Sequence, residues 1–244
     1  MKKRLKPCWP LILITLLFAA SIVSTFVGCS SGGSTKSGGG STKPGGGYDP
    51  PPPAPTPHEL FADTFNGIAL DQSIWVAHGN GVTLDDGCLC IESFRPWVSG
   101  VESVEHFFSP REGDKLTVEG SVVLPEDTQR SEALVYVQNH WRHDDPDCYY
   151  LEFIRNNEHE GDNDVYFGVR SNGSRVEYIR LSSFAYDEPV EWVFTIYAHR
   201  CVVEVGTSFH QTEYEVHDLG LSIHGSGSEA YWEYVDVTLW DVHF

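Results

Sequence analysis

From His58 to the C-terminal Phe244 the chain holds one lysine, Lys115, although the whole chain carries a formal net charge of -19. Lys2, Lys3, Arg4, Lys6, Lys36 and Lys43 all come before this region, and no acidic residue precedes Asp49. So acidic a surface excludes nucleic acid and anionic surfaces as partners, because both demand clustered cations. A sustained helical stripe is also missing, which argues against a helical fold. There is no Gly-x-Ser-x-Gly element and no His-Glu-x-x-His, so serine hydrolase and zincin chemistry have no motif here. Cysteine is scarce after His58: only Cys88, Cys90, Cys148 and Cys201. Cys88 and Cys90 stand two apart on one strand and share a face, so they do not pair with each other. Their spacing is also not that of zinc ligands. Two readings stay open: cross-strand bridges to Cys148 and Cys201, or four buried thiols.

What is present begins with a basic segment, Met1-Lys2-Lys3-Arg4-Leu5-Lys6, followed by an apolar run from Trp9 to Val27. Basic, apolar and small residues in that order read as an export signal. At about 17 to 19 residues the run is at the lower edge of a membrane-spanning length. It closes on Phe26-Val27-Gly28-Cys29. This segment resembles the lipobox of bacterial lipoproteins, with Phe26 where Leu is usual and Val27 where a smaller residue is usual. The resemblance implies that residues 1–28 are cut away and that Cys29 becomes the lipidated first residue. Several acyl chains anchor stably where one is marginal. The expected location is the cell membrane or outer membrane, lipid-anchored, with the rest of the chain on the extracytoplasmic side. Residues 29–57 form a tether. The near repeat Ser34-Thr35-Lys36 and Ser41-Thr42-Lys43 with its glycines stays a coil, and Pro50 to Pro53, Pro55 and Pro57 stiffen its end.

His58 to Phe244, roughly 185 residues, is enough for one hydrophobic core. Short alternating runs dominate it, as in Ala133-Leu134-Val135-Tyr136-Val137-Gln138 and Asp164-Val165-Tyr166-Phe167-Gly168-Val169-Arg170. Asp86-Gly87, Asn172-Gly173 and Gly225-Ser226-Gly227 punctuate them as turns. About twelve to fourteen strands at this spacing predict an all-β fold, a two-sheet antiparallel β-sandwich.

Phe61-Ala62-Asp63-Thr64-Phe65-Asn66-Gly67, Leu70-Asp71, Trp75 and Val82-Thr83-Leu84-Asp85-Asp86-Gly87-Cys88-Leu89 resemble the opening of concanavalin A-like lectin/glucanase (LamG-like) domains. Tyr149-Tyr150-Leu151-Glu152-Phe153 is similar to a central strand of that jelly roll, and Val235-Asp236-Val237-Thr238-Leu239 to its last strand, which returns beside the first. The resemblance covers residues 58–244 and implies ligand binding on the concave sheet or on the loops at its edge.

Alternation assigns the faces. Ala133, Val135, Val137, Tyr149, Leu151, Phe153, Val165, Phe167 and Val169 are expected inside. Tyr136, Gln138, His140, Arg142, Tyr150, Glu152, Tyr166 and Arg170 are expected outside, with Trp141 in the adjoining loop. Flat aromatic faces and planar polar groups suit a sugar ring and its hydroxyls. Asp144, Asp145 and Asp147 in one loop, with Asp162 and Asp164 in another, are candidate oxygen ligands for Ca2+, the one cofactor considered.

Catalysis has thinner support. Family 16 glycoside hydrolases, which share the resembled fold, carry Glu-x-Asp-x-x-Glu on a central strand. The nearest spacing, Glu213-Tyr214-Glu215-Val216-His217-Asp218, has its acids exchanged and lies too near the C-terminus. Sandwiches resembling 3-keto-disaccharide hydrolases would put His140, Arg142 and Glu152 forward. The leading expectation is a lipoprotein displaying a non-catalytic carbohydrate-binding domain, its partner a saccharide or extracellular glycan. The alternatives are a glycan-cleaving enzyme and a structural protein-binding lipoprotein, which would instead show an exposed apolar patch.

Overall fold

Period-two alternation of apolar and polar residues builds each strand with one face to sequester and one to leave outside. The computed structural model describes residues 54–92, 99–104, 107, 110–126, 131–138, 147–155, 163–217, 219–226 and 229–241. The strands are β1 (Thr56–Asp63), β2 (Trp75–His78), β3 (Val82–Asp85), β4 (Cys88–Glu92), β5 (Ser99–Ser103), β6 (Lys115–Val123), β7 (Ser131–Gln138) and β8 (Cys148–Arg155). They continue with β9 (Asn163–Ser171), β10 (Ser174–Ser183), β11 (Pro189–Tyr197), β12 (Arg200–Val205), β13 (Ser208–Thr212), β14 (Gly220–Ser226) and β15 (Glu229–Asp241). Among the described residues there is no helix.

Two antiparallel sheets result. One runs β13-β12-β11-β6-β15-β4-β3, with β1 added beside β15, and the other runs β10-β9-β8-β7-β14-β5-β2. The expected return of the last strand beside the first is met: Val237 pairs with Phe61 and Val235 with Asp63. The folded unit starts at Ala54. Thr56 and Pro57, assigned above to the tether by composition, are the first two positions of β1, opposite Asp241 and Trp240. Proline is tolerated there because β1 pairs on one side only.

Both Asx-Gly signals form hairpin turns. Asp86 and Gly87 have φ of 49° and 80°, and Asn172 and Gly173 have φ of 50° and 71°. Two successive positive φ values match the right-handed twist of the flanking strands. The third signal differs, since Gly225 is still within β14, paired with Ser99 and Ala133.

The nine residues expected inside on β7, β8 and β9 all lie in the core between the sheets. Edge-to-face aromatic contacts cross the core. Phe153 of one sheet meets Trp232 of the other with centroids 6.3 Å apart, Trp232 meets Trp192 at 6.4 Å, and Trp192 meets Phe194 at 6.0 Å. Such pairs add about 0.5–1.5 kcal/mol each beyond the area they bury. Gly120 makes room for Trp192, because a Cβ there would lie 2.5 Å from its ring.

Alternation breaks in two strands. A bulge between Trp232 and Tyr234 switches the inward positions of β15 from Ala230 and Trp232 to Val235 and Val237. Irregularities at Arg175/Glu177 and Arg180/Ser182 do the same to β10. An extra residue in one strand reverses which face every later side chain takes.

All four domain cysteines are buried thiols, so the bridged alternative is set aside. Topology explains why. Cys88 and Cys90 alternate with the core residues Leu89 and Ile91, so they occupy the outer face of the eight-stranded sheet. Cys148 precedes the core residue Tyr149 on the other sheet and faces away from the core, whereas Cys201 is inside it. Burial pushes the Cys90 thiol up to about 11 and the Cys201 thiol well above its usual range.

Candidate functional site

Strands β7, β8 and β9 pair without a slip, so Tyr136, Gln138, Tyr150, Glu152, Tyr166 and Arg170 reach the outer face of the seven-stranded sheet. The face is a grid of cross-strand rows. In the middle row Ser222 neighbours Tyr136, Tyr136 neighbours Tyr150, Tyr150 neighbours Gly168, and Gly168 neighbours Tyr178. On one side lie Gln138, Cys148, Arg170 and Arg175. On the other lie His224, Leu134, Glu152, Tyr166 and Arg180.

The rings form a continuous platform. Centroids are 5.0 Å apart for His224 and Tyr136, 5.6 Å for Tyr136 and Tyr150, and 6.4 Å for Tyr150 and Tyr178. Tyr166 and Tyr178 stack at 4.8 Å with 4° between planes. Gly168 permits this arrangement, since a Cβ there would sit 2.1 Å from Cζ of Tyr150. Tyr150 faces outward yet is 1% exposed, and its hydroxyl is buried with no hydrogen-bond partner among the described residues. That is unlike a solvated sheet face, where water satisfies each hydroxyl.

Electrostatics centre on Glu152. Its Oε2 accepts a hydrogen bond of 2.8 Å from the Tyr178 hydroxyl. Burial holds its carboxyl above the usual carboxylate range; the Tyr178 bond and the guanidiniums of Arg175 and Arg170 pull the other way, and Glu132 adds to the rise. Burial likewise raises the Tyr136 and Tyr150 hydroxyls. Arg175 lies 4.0 Å above the Tyr178 ring and Arg170 5.6 Å above that of Tyr150. Gln138 is buried and gives its amide to the Ser222 hydroxyl at 3.0 Å.

The face thus unites Tyr136, Gln138, Tyr150, Glu152, Tyr166 and Arg170 with three residues the sequence had not put forward: Arg175, Tyr178 and His224. Tyr178 and Arg175 were hidden by the β10 irregularity. Three positions apart, they would face opposite ways on a regular strand. His140, Trp141, Arg142, Asp144, Asp145, Asp162 and Cys29 lie outside the described residues. Asp147 and Asp164 are not brought together. Asp147 precedes β8 and accepts the Asn172 N–H at 3.0 Å, while Asp164 pairs with Arg180 at 2.7 Å near the opposite end. Among the described residues no group of three or more His, Cys, Asp or Glu is arranged to hold a metal. The Glu213 to His217 segment is off the sheets, and Glu215 bonds His199 at 2.7 Å.

The two antiparallel sheets define an all-β sandwich of the jelly-roll kind. No family model matches the chain, and no curated protein sequence is similar to it. Solved structures are. The β-glucanase of Bacillus licheniformis superposes with a TM-score of 0.54 at 11% identity, covering 72% of this chain and 96% of its own. The endo-1,3-β-glucanase of Streptomyces sioyaensis gives 0.57 at 14% identity, covering 79% of this chain and 99% of its own. The CBM2 module of the evolved Dit of Lactobacillus casei BL23 phage J-1 gives 0.59 at 6% identity, covering 78% and 99%. The fold is therefore that of glycoside hydrolase sandwiches and carbohydrate-binding modules alike.

Proposed function

We propose that this chain is a lipoprotein, anchored through Cys29, that displays a saccharide-binding β-sandwich outside the membrane. One observation carries the binding reading: a row of tyrosines whose central member, Tyr150, keeps a buried hydroxyl without a partner among the described residues. Aromatic faces take the apolar side of a sugar ring, and a ligand hydroxyl supplies the missing hydrogen bond. The glucanases and the carbohydrate-binding module of the same fold are consistent with a saccharide partner. The test is a glycan array probed with the full chain and with Tyr178→Ala. Saturable binding that the substitution removes supports the reading, and silence across plant, algal and bacterial glycans refutes it. Acylation is tested apart, by mass spectrometry of the mature N-terminus: an unmodified or retained Cys29 refutes the anchor.

A second reading, glycan cleavage, has its own observation. Glu132 and Glu152 share the face at diagonal positions, since Leu134 is opposite Glu152. Diagonal neighbours lie about 7–8 Å apart, close to the carboxyl separation of about 6.5–9.5 Å that inverting glycosidases use. Glu152, whose carboxyl burial raises above the usual range, would serve as the acid and Glu132 as the base. Release of reducing ends from a bound glycan, abolished by Glu152→Gln, would establish it.

A further inference from the structure

Acidity excludes an anionic surface as a partner for the domain at large, yet one margin of the eight-stranded sheet is built differently. On its outer face Pro57 of β1 stands opposite Trp240 of β15, Trp240 opposite Lys115 of β6, and Tyr197 of β11 opposite Arg200 of β12. Because Ile196 pairs with Leu116, Tyr197 falls beside Lys115, and the five make one row. The Lys115 Nζ lies 4.7 Å above the Trp240 ring and the Arg200 guanidinium 4.4 Å above that of Tyr197. In a domain with one lysine and a large acidic excess a carboxylate partner is easily had, yet neither cation makes an ion pair among the described residues. An aromatic seat orients a cation and leaves its N–H groups for an outside anion. The next row, Val202, Thr195, Thr117 and Thr238, is uncharged up to Glu59 at its end, and acids gather only in the third, at Glu204, Glu119 and Asp236. Beyond the margin, Glu112 and Glu215 both face His199.

The chain enters the sandwich at this same margin, since the folded unit starts at Ala54 and β1 at Thr56. Resting on the lipoprotein reading above, we propose that this row docks on the phospholipid headgroups of the membrane that holds Cys29, with Lys115 and Arg200 receiving their phosphates. Trp and Tyr beside Lys and Arg are the side chains that gather at a membrane–water interface. The tether already keeps the domain at the surface, so the row has only to orient it. For that, cations within a Debye length of the headgroups suffice, while the acids of the third row stand farther off. The tyrosine-bearing face of the other sheet is on the opposite side of the sandwich and is thereby turned outward.

The experiment reconstitutes the full chain into liposomes of phosphatidylethanolamine and phosphatidylglycerol and, in parallel, into uncharged detergent micelles. Flotation reads attachment. A membrane-impermeant amine-acylating reagent, followed by peptide mass spectrometry, reads the accessibility of Lys115. Acylation is expected to be about 5- to 30-fold slower in liposomes than in micelles, as one or two cations near an anionic surface imply. Arg200→Gln should recover about fivefold of that, and about 1 M salt nearly all of it. Arg200 is exposed, so its substitution leaves the core untouched, and a melting curve checks this. A chain that floats with the liposomes while Lys115 reacts at its micelle rate overturns the docking and leaves the anchor standing. Slow acylation that neither Arg200→Gln nor salt relieves also overturns it, since the shielding then comes from elsewhere. A chain that does not float overturns anchor and docking together.

Discussion

Replacing Tyr150 by Phe removes one oxygen and leaves the ring in place. A hydroxyl shut away from water without a partner costs about 1–3 kcal/mol. Deleting it should therefore stabilise the unliganded protein, by about 1 kcal/mol at the low end. For a domain of this size that raises the midpoint of thermal unfolding by about 2–4 °C. The same deletion should weaken ligand binding. If the hydroxyl meets its partner only in the complex, losing a hydrogen bond worth about 1 kcal/mol reduces affinity roughly fivefold. Differential scanning calorimetry reads the first effect and isothermal titration the second. Opposite signs are the signature: more stable alone, weaker with ligand. A drop in melting temperature would show that the hydroxyl is already satisfied, and the reasoning about Tyr150 would fail. A rise with unchanged affinity would show that the oxygen is buried for reasons unrelated to the ligand.

Gly168→Ala drives a methyl into Tyr150 and should cost about 1–3 kcal/mol, with ligand binding lost at the same time; denaturant unfolding that matches wild type would refute the packing described. Glu119, Glu152 and Glu191 are each held above their ordinary 4.5, chiefly by burial. The native state therefore binds more protons than the unfolded chain, so stability should rise as pH falls from 7 through their folded values towards 4.5. A urea midpoint that drops steadily from pH 7 to 5 would contradict this. Thiol labelling mapped by mass spectrometry should leave Cys88, Cys90, Cys148 and Cys201 unmodified in the native state and reach all four in urea without reductant; a pair that stays silent in urea would reveal a bridge. Saccharide binding should survive EDTA, because Asp147 and Asp164 are committed to Asn172 and Arg180; a calcium requirement would instead place an ion in the loops carrying Asp144, Asp145 and Asp162.

How much of this was legible beforehand depends on regularity. On β7 to β9 the ladder runs without a slip, so alternation alone sorted nine core residues from the outward set. Asp86-Gly87 and Asn172-Gly173 were equally readable, because few residue pairs accept two successive positive φ values. Where the backbone inserts a residue, parity fails. Val176 and Glu233 carry no local sign of the bulges beside them, and Arg175, Tyr178 and the parity of β15 went unread with them. Nor does any sequence window disclose that Tyr150 is buried. Its cover comes from Tyr136, Arg170 and Tyr178, each on another strand. Cysteine pairing was undecidable for a similar reason, since two sheets and both sides of each were open to those four residues. Thr56 and Pro57 read as tether because Pro57 has the composition of a linker and the pairing of a strand.

The irregular step at Arg175/Glu177 lies on an edge strand that hydrogen-bonds to β9 alone. Its neighbours can therefore change without reopening the core. Removing the single residue Val176 would leave Arg175 and Tyr178 two positions apart on a regular strand, still on the same outer face. One residue more or less at this step is thus absorbed by the edge strand, and the charged contact keeps its place beside an aromatic bench that the central strands hold constant. Descendants of such a gene can therefore change the length of this strand well before any of the tyrosines is altered.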